Sequence, residues 1–160
     1  MDALSTPCRP GMRSARVAST VLAVVIALSC SQGVGIGAPE LSVVPARAEY
    51  PAAAPGAATV VAFTVRHAGG PAAWVGRCGG TLTAYLERAG PRGAWREASR
   101  AAVVCPAHVS AAPVEVTPGA AWASTIVAPG AGRYRVRISF GSAFDRPAER
   151  TARSAPVTVR

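Results

Sequence analysis

From residue 40 onward, apolar residues recur at a spacing of two in short runs separated by Pro/Gly turns, and no stretch holds a sustained helical period bounded by caps. The clearest run is 133–140. Tyr134, Val136, Ile138 and Phe140 occupy one parity and Arg133, Arg135, Arg137 and Ser139 the other, which predicts a strand with one buried and one wet face. Val61, Phe63 and Val65 mark a second strand of this type, and Trp122 with Ile126 a third. The full set of expected strands is 41–44, 59–67, 74–88, 95–104, 114–117, 121–127, 133–140 and 155–159. Eight short strands at this spacing predict an all-β fold, an antiparallel sandwich or a barrel.

Between 81 and 104 two such runs flank the turn-prone Gly90-Pro91-Arg92-Gly93, and together they read as a β-hairpin. A turn centred between Pro91 and Arg92 sets Cys78 opposite Cys105, Glu87 opposite Arg96 and Leu82 opposite Ala101. A three-residue turn with a bulge would slip this register by one. Opposed Cα atoms of paired strands lie within the span of a disulfide, so Cys78 and Cys105 are expected to be bridged.

Upstream the pattern changes. Basic Met12-Arg13-Ser14-Ala15-Arg16 precedes an apolar segment, 17–28, too short for the ~20 residues of a spanning helix and suited to the core of an export signal. Ile26-Ala27-Leu28-Ser29-Cys30 resembles the lipobox of bacterial lipoproteins, with Ala27 where that family usually carries Leu. The resemblance implies that residues 1–29 are a signal peptide and that Cys30 becomes a lipidated first residue, while the leader is already complete from Met12, which is read as an alternative start. An ordinary secretory peptidase cutting after Ala27-Leu28-Ser29 would free a soluble protein at the same bond. An uncleaved N-terminal anchor is the remaining alternative. Export into an oxidising compartment is a second, independent reason to expect the Cys78–Cys105 bridge, since Cys8 leaves with the leader. About 130 residues then remain, enough for one domain. Gly-rich 30–39 is read as a tether and 40–160 as the domain.

Within that domain, Val114-Glu115-Val116-Thr117-Pro118-Gly119, then 122–127, then Pro129-Gly130-Ala131-Gly132-Arg133-Tyr134 looks like the second half of a bacterial immunoglobulin-like or fibronectin-like module. The small proteinase-inhibitor domain of bacilli is similar in layout. The resemblance implies an immunoglobulin-like antiparallel β-sandwich of about seven to eight strands. Tyr134 would then form a tyrosine corner, its hydroxyl bonding backbone near Gly130.

All 17 basic residues are arginine, against 8 acids, a formal net charge of +9. Attraction to anionic surfaces and a compositional bias without lysine both account for this, and the stripe Arg133, Arg135 and Arg137 is its densest local expression. The arginines are dispersed and the chain is exported, so no nucleic-acid partner is expected. Cys78, Cys105, His67 and His108 could in principle hold zinc or copper, but the ligands are not spaced as two close pairs and a disulfide would consume the thiols. No metal or cofactor is expected. From Cys30 on the chain has one Asp and two His, with no nucleophile elbow, phosphate loop or His-Glu-x-x-His, and it is read as non-enzymatic.

The segment 141–154 is longer than a hairpin needs. It is expected to share one pole with the connection 67–73, where Trp74, Phe144, Arg146, Arg150 and Arg153 would form a binding patch. The plainer alternative is a surface loop with Phe144 tucked into the sandwich edge. The function these features imply is a lipid-anchored, non-catalytic envelope module that meets the membrane through its lipid and binds an envelope protein or anionic polymer. A proteinase inhibitor and a metal-binding or redox protein are the alternatives.

Overall fold

The computed structural model describes residues 37–54, 57–102 and 104–160. The leader, Cys8, Cys30 and the tether as far as residue 36 lie outside them. The described chain belongs to one compact unit, with thirteen strands and no α-helix. In chain order these are β1 (Glu40–Pro45), β2 (Glu49–Tyr50), β3 (Thr59–Gly69), β4 (Ala73–Val75), β5 (Arg77–Cys78), β6 (Thr81–Leu82), β7 (Ala84–Ala89), β8 (Trp95–Ala101), β9 (Val114–Val116), β10 (Ala121–Ala128), β11 (Gly132–Gly141), β12 (Arg150–Arg153) and β13 (Val157–Val159).

The alternation of β11 organises the larger sheet. Tyr134, Val136, Ile138 and Phe140 are buried, as the pattern predicts. Both edges of the strand are paired: one with β13 and β12, the other with β7 and β4. β8 extends the sheet beyond β7 and β9 extends it beyond β4. At the far edge β2 joins β13 in the sheet's one parallel pairing. A three-stranded antiparallel sheet, β1-β3-β10, supplies the second layer. Its inward residues Leu41, Val43, Val61, Phe63, Val65 and Ile126 meet the inward face of β11 and its neighbours in one hydrophobic cluster. The fold is an all-β sandwich, as expected.

Two seams close it. β10 runs close to β8, where the Ser99 hydroxyl donates to the Val127 carbonyl, and β1 runs close to β12. The Tyr134 hydroxyl donates to the Gly130 carbonyl at 2.9 Å, tying β11 to the turn that precedes it. Between β12 and β13 the ladder is interrupted where Pro156 cannot donate. Ser154, the one buried polar side chain among the described residues, repairs the gap. Its N–H donates to the Val136 carbonyl and its hydroxyl accepts from the Val136 N–H, both at 2.9 Å.

The hairpin register differs from the expectation. A five-residue loop, closed by Gly90 N–H to the Ala94 carbonyl at 2.7 Å, turns on Arg92 and Gly93, both at positive φ. The loop slips the pairing by one, so Glu87 faces Glu97, not Arg96, and a bulge at Ala98 shifts it again, so Ala101 faces Ala84, not Leu82. Leu82 pairs with Arg77 in the small β5–β6 ribbon, and Cys78 pairs there with Thr81. The expected strand 74–88 is thus four pieces, broken around Gly76, Gly79 and Gly80. The Cys78–Cys105 disulfide is formed nonetheless, with Cα atoms 5.4 Å apart. It staples the ribbon to the loop after β8 instead of cross-linking a regular hairpin.

Replacing Ser154 by Ala leaves the fully buried Val136 N–H without a partner and is expected to destabilise the domain by about 2 kcal/mol. Urea unfolding should show a lowered midpoint with an unchanged slope.

Candidate functional site

Two surface regions carry the chemistry, one at a pole of the sandwich and one on the outward side of the larger sheet. The first is the pole at the end of β11. Gly141 pairs with Trp74 of β4, and the loop 142–149 folds back so that Phe144 meets the Trp74 ring edge-to-face, centroids 5.3 Å apart. Phe144 remains 54% exposed, so it is not tucked into the sandwich edge.

This loop is held by its own polar groups. Glu149 accepts from the Ser142 hydroxyl at 3.0 Å and pairs with Arg146 at 3.0 Å, while Arg146 N–H donates to the Ala143 carbonyl. Gly141 is obligatory here, because a Cβ at that position would collide with the Arg146 carbonyl. Across a shallow groove of about 550 Å³, Glu149 and Arg150 face Ala68 at the end of β3 and Pro39–Leu41 at the start of β1. The loop and the β3–β4 connection therefore share one pole.

The expected five-residue patch does not assemble as a unit. Trp74, Phe144 and Arg146 belong to this pole, but 150–153 is strand β12 and not loop. Arg150, opposite Phe140, lines the groove beside β1. Arg153, opposite Arg137, points into the second region.

That second region is the face built on the outward parity of β11. Arg135 lies over the Trp95 ring at 4.4 Å and Arg137 over the Tyr85 ring at 4.1 Å, cation–π geometries that fix both guanidiniums. Glu87 of β7 gathers three of the cations, with Arg135 at 2.7 Å, Arg137 at 3.0 Å and Arg153 at 3.8 Å. Its side chain is only 12% exposed. Glu97 of β8 pairs with Arg100 at 2.6 Å and stands 3.7 Å from Arg137. Arg137 Nε is buried without an aligned hydrogen bond, so its approach to Glu87 is a charge contact. The arginine stripe is thus not a simply solvated row. Sequence reasoning missed its company because Tyr85, Glu87, Trp95 and Glu97 come beside β11 only through the strand order β11-β7-β8.

The thiols of Cys78 and Cys105 are committed to the disulfide, His67 Nε2 lies 2.8 Å from the Pro71 carbonyl, and His108 is exposed on the loop after β8. These four residues therefore do not form a metal site. A scan against protein-family models and a search among curated proteins return no match to this chain.

Glu87→Gln keeps the shape of the side chain but removes the charge that three arginines share. A loss of about 2 kcal/mol or more is expected, against under about 1 kcal/mol for Glu97→Gln, measured by denaturant unfolding.

The Glu149 carboxyl is held below its ordinary value, first by the Ser142 hydroxyl and N–H, then by Arg146 and Arg150. With the folded value below the unfolded one, its contribution is present above about pH 4.3 and is lost as pH falls through the folded value. Acidification should therefore release loop 142–149 and change the emission of Trp74. Glu149→Ala, which removes both the acceptor for Ser142 and the partner of Arg146, should show the released signal already at neutral pH.

Proposed function

We propose that this chain is an exported, lipid-anchored module of a bacterial cell envelope that binds a partner without catalysing a reaction. The observation that carries the reading is the Cys78–Cys105 disulfide, which staples a surface loop and belongs to an oxidising compartment. It agrees with the export signal read in residues 1–29 and with Cys30 as the lipidated residue. An immunoglobulin-like ancestry is supported by three features: the parallel edge pairing of β2 with β13, the Tyr134 hydroxyl bond to Gly130, and a three-stranded sheet packed on a larger one built around β11.

Binding is favoured over protease inhibition by the form of loop 142–149. An inhibitor presents an extended segment to a protease cleft, whereas this loop is closed on itself through Ser142, Arg146 and Glu149. What it presents instead is a supported aromatic surface, the exposed Phe144 ring braced by Trp74. Such a braced ring loses little freedom on contact with a partner.

The test is the intact mass of the protein purified from its native membrane fraction, with and without reduction. The expected result is a chain beginning at Cys30, carrying acyl mass and gaining two hydrogens on reduction. An unacylated chain cut at the same bond would make it a free secreted protein, and a mass unchanged by reduction would overturn the disulfide on which the reading stands. Phe144→Ser, which removes the ring and spares the loop's polar closure, is expected to weaken crosslinking to neighbouring envelope components.

A further inference from the structure

The outward side of β11 carries Arg133, Arg135 and Arg137 at alternate positions, which the strand rise sets about 7 Å apart. Arg153 is the cross-strand neighbour of Arg137, and Arg100 lies opposite Tyr85 on the same face. Across β7, β8, β11 and β12 these five cations share the face with two anions, Glu87 and Glu97, an excess of three positive charges, while Glu49, in the row of Arg133 and Thr158, is paired with Arg160. Arg133 is exposed and makes no ion pair among the described residues. Arg135 and Arg137 are already fixed by ring stacking and by Glu87, so a ligand would order little that is not ordered beforehand.

We infer that this face binds a linear, base-free polyol-phosphate polymer laid along β11, a deepening of the envelope-module reading that names its ligand class. Guanidinium groups match the oxygens of a phosphodiester with paired N–H donors. A polymer whose phosphates are joined through three-carbon units repeats its charge on the same scale as alternate residues of a strand. Single-stranded nucleic acid shares the charge but binds through bare aromatic platforms on which bases stack. Here Arg135 and Arg137 already lie over the rings of Trp95 and Tyr85. Arg133 and Arg153 are the arms most free to reach a ligand, since both are exposed and Arg153 meets Glu87 only at 3.8 Å.

The experiment titrates the full chain in detergent with poly(glycerol phosphate), with a polyuronate of equal charge number and with single-stranded DNA, at low and at physiological salt. Poly(glycerol phosphate) should bind most tightly and weaken as salt rises. Arg133→Glu with Arg153→Glu should lower its affinity at least ~10-fold. Arg47→Glu with Arg66→Glu, the same charge change away from this face, should lower it no more than ~2-fold. Circular dichroism and the unfolding midpoint establish that each variant is folded. If the first pair does not fold, Arg133→Gln alone, at an exposed position without an ion pair, must still weaken binding.

Equal losses in the two pairs would reduce the effect to diffuse net charge and overturn the site. Tighter binding of the polyuronate or of DNA would overturn the ligand class, and no binding at low salt would overturn both. None of these outcomes depends on acylation at Cys30, so this inference and the anchored-module reading fail separately.

Discussion

Strand β11 is hydrogen-bonded along both edges, and its strict alternation leaves each of its side chains only one of two fates. Tyr134, Val136, Ile138 and Phe140 must meet the opposing sheet, which places the core. Arg133, Arg135, Arg137 and Ser139 must then share the opposite face. A slip of one residue against β7 would bury arginines and expose tyrosine, valine, isoleucine and phenylalanine together. The Tyr134–Gly130 bond and the Ser154 bridge to Val136 act on this same strand, one at its start and one where its partner ladder breaks. Register, core and charged face thus follow from a single constraint.

The parts of the fold legible in the sequence are those with long, strict periodicity. β11 and β3 read directly, because each has at least three consecutive inward positions filled by large apolar residues. β12 did not, because Arg150-Thr151-Ala152-Arg153 offers one small apolar residue as its inward signal, and β2 is too short to carry a pattern. The disulfide was legible for a reason only partly right. Cys78 and Cys105 do come together, but through a glycine-broken ribbon and a loop, and the hairpin that seemed to pair them is displaced by its five-residue loop and by the bulge at Ala98. In the site, the Trp74–Phe144 contact could be anticipated because both residues flank connections at one pole. The partners of the arginine stripe could not, since they depend on strand order, which is a non-local property.

The absence of lysine takes on a structural meaning on that face. Compositional bias can account for the number of arginines but not for what three of them do. Arg135 and Arg137 each lie over a ring while reaching toward Glu87, and Arg153 adds a third contact to the same carboxylate. A planar guanidinium can stack and pair at once, whereas an ammonium is a point charge and keeps its hydration. One glutamate can therefore organise several arginines without neutralising them. The result is a face both ordered and positively charged.

The position of the chain's entry decides which surface a distant partner could reach. Ala38 and Pro39 pack against Gly70, and Pro39–Leu41 line the groove shared with Glu149 and Arg150, so β1 starts at the same pole as Trp74 and Phe144. On the proposed anchoring at Cys30, the ten residues 30–39 could hold this pole no farther than ~35 Å from the bilayer surface. The aromatic pair would then meet only what lies close to the membrane. The arginine row runs away from that pole along β11, from Ser139 toward Arg133, and would extend outward into the envelope. The row can therefore reach a polymer farther from the membrane than the pole can. For that reason the charged face, and not the loop that drew attention in the sequence, is the better candidate for long-range capture.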